Sequence, residues 1–96
     1  MVPVGRHRTD GPDSGQRFRE DFLEPALKEH DRISVNIDGT AGYHSSFLEE
    51  AFGGLVRRGI GDSDEILRRI DVVSNDDAYT MYKDLIVYFI KVAKRA

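Results

Sequence analysis

The chain contains no cysteine and no tryptophan in its 96 residues. Without cysteine, disulfides, thiolate zinc sites and thiol redox chemistry have no residues to run on. Proline is scarce, three in all, and Pro3 and Pro12 both fall in the first thirteen residues, so most of the chain is free to form regular structure. Long apolar runs are missing as well. The most apolar stretch, "LIVYFI" at residues 85–90, is far short of the roughly 18 residues a membrane-spanning helix needs, and nothing reads as a signal peptide. Charge of one sign is not in excess: 14 Lys and Arg stand against 17 Asp and Glu, for a net charge of −3. The basic stretches, "GRHR" and "KVAKRA", are short and terminal, which gives no electrostatic footprint for nucleic acid. The expectation is a cytoplasmic, bacterial-type domain with neither a nucleic-acid nor a membrane partner.

What is present is ordinary globular composition, 40% hydrophobic and 32% charged, in a chain of one domain's length. Residues 1–16, "MVPVGRHRTDGPDSGQ", read as an irregular arm in which a short strand near Val2–Arg8 is the one regular element left open. The domain proper is expected over residues 17–96. From Arg17 to His30 the period is helical, with Phe18, Phe22, Leu23, Ala26 and Leu27 on one face; Pro25 should kink this helix or restart it. "RISVNIDG" alternates, with Ile33, Val35 and Ile37 on one side, as a strand does. A second helix follows, with paired apolar residues from Phe47 to Val56 and Gly59 as its C-terminal cap. Gly53 and Gly54 inside it imply close approach of a neighbouring element or mobility.

"GIGDSDEILRR" reads as a turn or short helix, and "RRIDVVSN" as a second strand. The last helix is expected over residues 77–94, with Ala78, Met81, Tyr82, Leu85, Ile86, Phe89, Val92 and Ala93 as its main stripe, widened by Tyr79, Val87, Tyr88 and Ile90. So wide an apolar surface is either buried on two sides or part of an oligomer interface. The order (β)-α-β-α-β-α predicts a small α/β fold with a mostly parallel or mixed sheet.

In such a sheet, ligand chemistry gathers at the strand carboxyl ends. The stretch there is "DGTAGYHSS": Asp38, Gly39, Thr40, Gly42, Tyr43 and His44, then Ser45 and Ser46. Its glycines and the following helix N-terminus suit an anion, but no lysine follows as in a nucleotide-binding P-loop. Ser46 with Glu49 three residues on fits a capping box; either serine can serve as the cap, and the other hydroxyl is then spare. His44 and Ser45 have no orienting third residue, and His7, His30 and His44 show no metal-ligand spacing. No enzyme activity, cofactor or metal is expected.

"IDGTAGYHSSFLEEAFGGLV", with "SGQRFREDFLEPAL" upstream and "DVVSND" downstream, resembles the STAS-like domains of unknown function. These are relatives of the STAS domains of sulphate transporters and anti-sigma factor antagonists. The resemblance covers most of residues 14–77. In the antagonists a strand runs into Asp-Ser-Ser/Thr-Gly ahead of a helix, and the first serine or threonine is phosphorylated by a partner kinase. That role maps onto Ser45, with Ser46 beside it; here His44 replaces the aspartate and Phe47 the glycine. The resemblance implies a regulatory protein-interaction module binding an ATP-binding, anti-sigma or histidine-kinase-like partner. Its docking surface is expected to be the 39–46 loop with Glu49, Glu50 and Arg57 on the exposed side of the following helix, and Arg17 and Arg19 as further candidates. Glu49, Glu50 and Asp38 would repel a phosphate on Ser45, and a protonated His44 would offset this. Two other readings stand beside it: a constitutive homo-oligomer, such as a homodimer through the C-terminal helix, and a small anion- or nucleotide-binding module.

Overall fold

Ser14 opens the first helix, its hydroxyl oxygen accepting the Arg17 N–H at 3.2 Å, the bond that satisfies a donor left over at a helix start. The structure is a computed structural model that describes His7, residues 14–38 and residues 44–95; the strand left open near Val2–Arg8 lies almost wholly outside them. Helix α1 covers residues 15–29 and is α-helical at both ends, with a π-helical turn over Arg19–Leu23 between them. Pro25 explains the widening. It lacks an N–H, and its ring would crowd the carbonyl four residues back. The Glu24 N–H reaches instead to Arg19 O, five residues back, and Pro25 enters the next α-helical stretch in its first turn. The expected restart at Pro25 is therefore found, and its mechanism is a π turn.

Strand β1 (Ile33–Asn36) pairs in parallel with β2 (Ile70–Val73), in the register Ile33↔Ile70 and Val35↔Val72. Alternation sends these four toward the core, whereas Ser34, Asn36 and Asp71 are exposed. Helix α2 covers residues 45–57, again with a π turn, over Glu49–Gly53. It ends in a Schellman motif: Gly59 has φ +76°, Gly59 N–H donates to Val56 O at 3.0 Å and Ile60 N–H to Leu55 O at 2.9 Å. The positive φ is what glycine permits at this position. The segment with two readings is a helix, α3 (Ser63–Arg69), capped by Asp62, which accepts the Glu65 N–H at 2.8 Å. It runs directly into β2. A 3₁₀ turn, Asp77–Tyr79, then leads into α4 (Thr80–Val92). Among the described residues the order is thus α1-β1-α2-α3-β2-α4, a small α/β fold of four helices and a two-stranded parallel sheet, with α3 as the addition to the expected alternation.

Helix α2 is the centre of the molecule. Phe47, Leu48, Ala51, Phe52, Leu55 and Val56 are all buried, between α1 on one side and α4 on another. A side chain at Gly53 would meet the Phe89 carbonyl of α4 at 3.3 Å, and one at Gly54 would collide with the Arg19 side chain of α1. Close approach, not mobility, accounts for the two glycines. Two side chains finish the helix ends through long-range bonds. The Arg69 guanidinium donates to Leu27 O (2.5 Å), His30 O (3.0 Å) and Asp31 O (2.8 Å), closing α1 and the turn after it. Ser63 Oγ donates to Ile90 O near the end of α4 at 2.8 Å.

The apolar stripe of α4 is rotated from the expected one. Ile86 and Ile90 are its buried residues, with Tyr82, Leu85, Phe89 and Ala93 packed at the edges. Met81 and Val92, expected inside, are 59% and 52% exposed, and Tyr88 is 57% exposed. The helix docks through Ile86, Phe89 and Ile90 of its "LIVYFI" run, and a pattern apolar nearly all round does not tell which side faces in. Phe22 of α1 is likewise exposed, although its spacing places it on the apolar face. Among the described residues no helix is long and apolar enough to cross a membrane.

Candidate functional site

Parallel pairing sets the two strand carboxyl ends side by side, Asn36 opposite Val73. Asp38 follows one strand and Ser74, Asn75 and Asp76 the other. The Asp38 carboxylate accepts the Ser74 hydroxyl at 2.5 Å and the Asn75 N–H at 2.8 Å, while its own N–H donates to Asn36 Oδ1 at 2.8 Å. Ser74 Oγ in turn accepts the Asp76 N–H at 3.1 Å, and Asp76 caps the 3₁₀ turn through Ala78 N–H at 2.9 Å. The Ser74 hydroxyl first, and the Asn75 N–H second, hold the Asp38 carboxyl below its ordinary pKa, because both bonds favour the charged form. Asp38, expected as part of a partner-binding loop, is thus the clip that ties the loop after β2 to the end of β1. Sequence reasoning missed Ser74 and Asn75; the available signal was that "IDG" and "SND" both end strands that pair in parallel.

Across the connection, α2 begins with His44 as its N-cap residue. The His44 carbonyl accepts the Leu48 N–H at 3.2 Å, but its side chain makes no capping bond. Ser45 and Ser46 are therefore the first two helical residues, and the expected Ser46–Glu49 capping box does not form. Glu49 is drawn away from the helix start. Its carboxylate accepts Arg57 Nη1 at 2.5 Å and Nη2 at 3.3 Å, across the π turn, and this bond raises the Arg57 pKa further. Ser45 is exposed and Ser46 half-buried, and among the described residues neither hydroxyl is hydrogen-bonded. Gly39, Thr40, Gly42 and Tyr43 lie outside the described residues.

The expected docking face of α2 needs correction. Glu50 is not exposed but 8% accessible, and Arg19, a further docking candidate, is 3% accessible. Arg19 Nη1 donates to Glu50 O at 2.9 Å and to the Glu50 carboxylate, and Nε donates to Glu24 Oε2 at 3.0 Å. Glu20 lies 3.6 Å from Nη2, and Arg57 Nη2 stands 3.7 Å from Glu50 on the other side. One buried guanidinium thus joins the two π turns, and Gly54 leaves room for it. This network holds α1 to α2, so Glu50 belongs to the framework. Arg17 remains at the surface, paired with Asp21 at 3.3 Å. What remains exposed at the amino end of α2 is His44 and Ser45. Among the described residues no cluster of His, Asp and Glu is placed to hold a metal ion.

Over residues 14–80 the sequence matches the family described as the STAS-like domain of unknown function (DUF4325). The chain belongs to that family. The matched span opens on Ser14, the cap of α1, and closes on Thr80, the first residue of α4. It therefore takes in both strands, both π turns, the Arg19–Glu50 pair and the strand-end cluster of this STAS-like domain, while nearly all of α4 lies beyond it. No match was found among curated proteins or among solved structures.

Proposed function

We propose that this STAS-like domain is a non-enzymatic regulatory module of the bacterial cytoplasm that docks a protein partner at the carboxyl ends of its strands. The partner is an ATP-binding protein of the anti-sigma or histidine-kinase-like kind, and a phosphate on Ser45, with Ser46 as the alternative acceptor, switches the docking off. The observation that supports this reading most is the state of the Ser45 side chain. It is exposed at the start of α2, and its hydroxyl has no hydrogen bond that helix capping would require. A modification there would leave the framework intact while adding about −1.5 to −2 charges to the surface. Family membership supplies the rest of the reading and is a warrant by likeness.

The test is the intact mass of the protein isolated from its native host, followed by fragmentation. A phosphate on Ser45 supports the switch, and Ser45→Asp should then weaken partner capture relative to Ser45→Ala. A phosphate on Ser46 keeps the switch and moves the acceptor. An unmodified chain under every growth condition overturns the switch and leaves constitutive docking.

A further inference from the structure

Helix α4 carries two apolar faces, of which the fold uses one. Met81, Tyr88 and Val92 are exposed, and Leu85 is only partly covered. At about 100° per residue these four fall in a roughly 60° sector, centred about 150° round the helix from buried Ile86 and Ile90. Their spacing of four, three and four residues is that of a coiled-coil seam. We infer that this face pairs with the same face of a second copy of the chain, the two α4 helices running antiparallel. The pairing is independent of the proposed phosphorylation.

Charge decides both occupant and direction. Asp84 and Lys91, both exposed, lie on the same flank of the seam. The other flank is occupied by Tyr82 and Phe89, which are turned toward the core. In an antiparallel pair related by a two-fold axis, Met81 packs on Val92 of the second copy and Leu85 on Tyr88. The charged flanks then face each other, and Asp84 meets Lys91 of the second copy twice over. A parallel pair would set the same flank against Tyr82 and Phe89 and leave both charges without partners. The seam is thus self-complementary in shape and in sign, which a generic apolar partner would not require. A seam of four side chains is short beside the roughly 20–30 residues a side of a standard interface, so the dimer is weak and concentration-dependent.

Sedimentation of the full chain over a concentration series tests this. The wild type should shift from monomer to dimer, and Tyr88→Glu should remain monomeric with an unchanged circular dichroism spectrum. Asp84→Lys or Lys91→Asp alone places two like-charge pairs across the axis and should weaken association about tenfold. The double reversal should restore it. These two residues are exposed, so the charge test stands even if Tyr88→Glu fails to fold. Since the chain has no cysteine, Met81→Cys and Val92→Cys chains can be mixed and oxidised, and the cross-linked product should join one of each. A wild type that is monomeric at every concentration overturns the inference. So does association that survives Tyr88→Glu, a double reversal that does not recover, or cross-linking of Met81→Cys to itself in preference to Val92→Cys.

Discussion

Replacing Arg19 with methionine should be among the most damaging single changes in this protein, and its cost can be worked from the contacts. The guanidinium is 3% exposed and meets carboxylates of Glu20, Glu24 and Glu50 as well as the Glu50 carbonyl. Methionine keeps most of the volume but removes a positive charge that faces all three carboxylates. Removing one partner of a buried pair costs about 3–5 kcal/mol, and a domain of this size loses about 4–8 °C of melting temperature per kcal/mol. Arg19→Met should therefore melt at least about 12 °C lower. Glu50→Gln should cost less, because Arg19 retains Glu24 at 3.0 Å and Glu20 at 3.6 Å. The double change Arg19→Met with Glu50→Met removes both charges, so its cost should fall below the sum of the singles by about 2 kcal/mol or more. The assay is urea unfolding followed by circular dichroism, with the slope checked for two-state behaviour. If Arg19→Met costs under about 1 kcal/mol, or the double change is simply additive, the pair does not hold α1 to α2 as argued.

Arg69→Ala removes three charge-assisted bonds to the carbonyls of Leu27, His30 and Asp31 and should cost about 2 kcal/mol in the same assay; lysine, lacking the planar fork, should recover less than half. Gly59→Ala forces a β-carbon into φ +76° and against the Arg95 side chain at 3.0 Å, which should cost about 1–2 kcal/mol, with Gly59→Asn cheaper. Because the folded-state pKa of Asp38 lies below its unfolded value, its contribution to stability is present above about pH 4 and lost as pH falls through the lower folded value. Asp38→Asn should flatten that acid limb, as read by urea midpoints measured against pH.

Local patterns were legible wherever one residue's neighbours along the chain decide its state. The alternation of Ile33, Val35 and Ile37, the restart at Pro25 and the cap at Gly59 are of that kind, and each is found. The misreadings share a different cause. Arg19 and Glu50 are 31 residues apart, and Asp38 and Ser74 are 36 apart; nothing local distinguishes a charge that will be buried by such a partner from one that stays in water. The Ser46–Glu49 pattern misled for a related reason. The capping box needs Ser46 at the N-cap, but the helix starts earlier, with His44 as its N-cap, and Arg57 takes Glu49 across a π turn that the residue pattern did not announce. On α4 the apolar run is too wide for one face, and only docking on α2 sets its inward side.

The same long-range pairs change the electrostatics expected at Ser45. From the sequence, Asp38, Glu49 and Glu50 stand as three negative charges opposing a phosphate at the start of α2. In the fold each is already engaged: Asp38 by Ser74 and Asn75, Glu49 by Arg57, and Glu50 by Arg19 with Arg57 beside it. Two of the three are neutralised by a guanidinium, so the repulsion is much reduced, while the helix start still favours an anion by about 0.3–1 kcal/mol at an exposed position. Ser45→Asp should then leave the urea midpoint unchanged or slightly raised. A clear loss of stability would mean that the carboxylates are not screened as the pairing requires. Screening of this kind suits a switch, because the cost of the added charge would fall on a partner's approach and spare the domain that carries it.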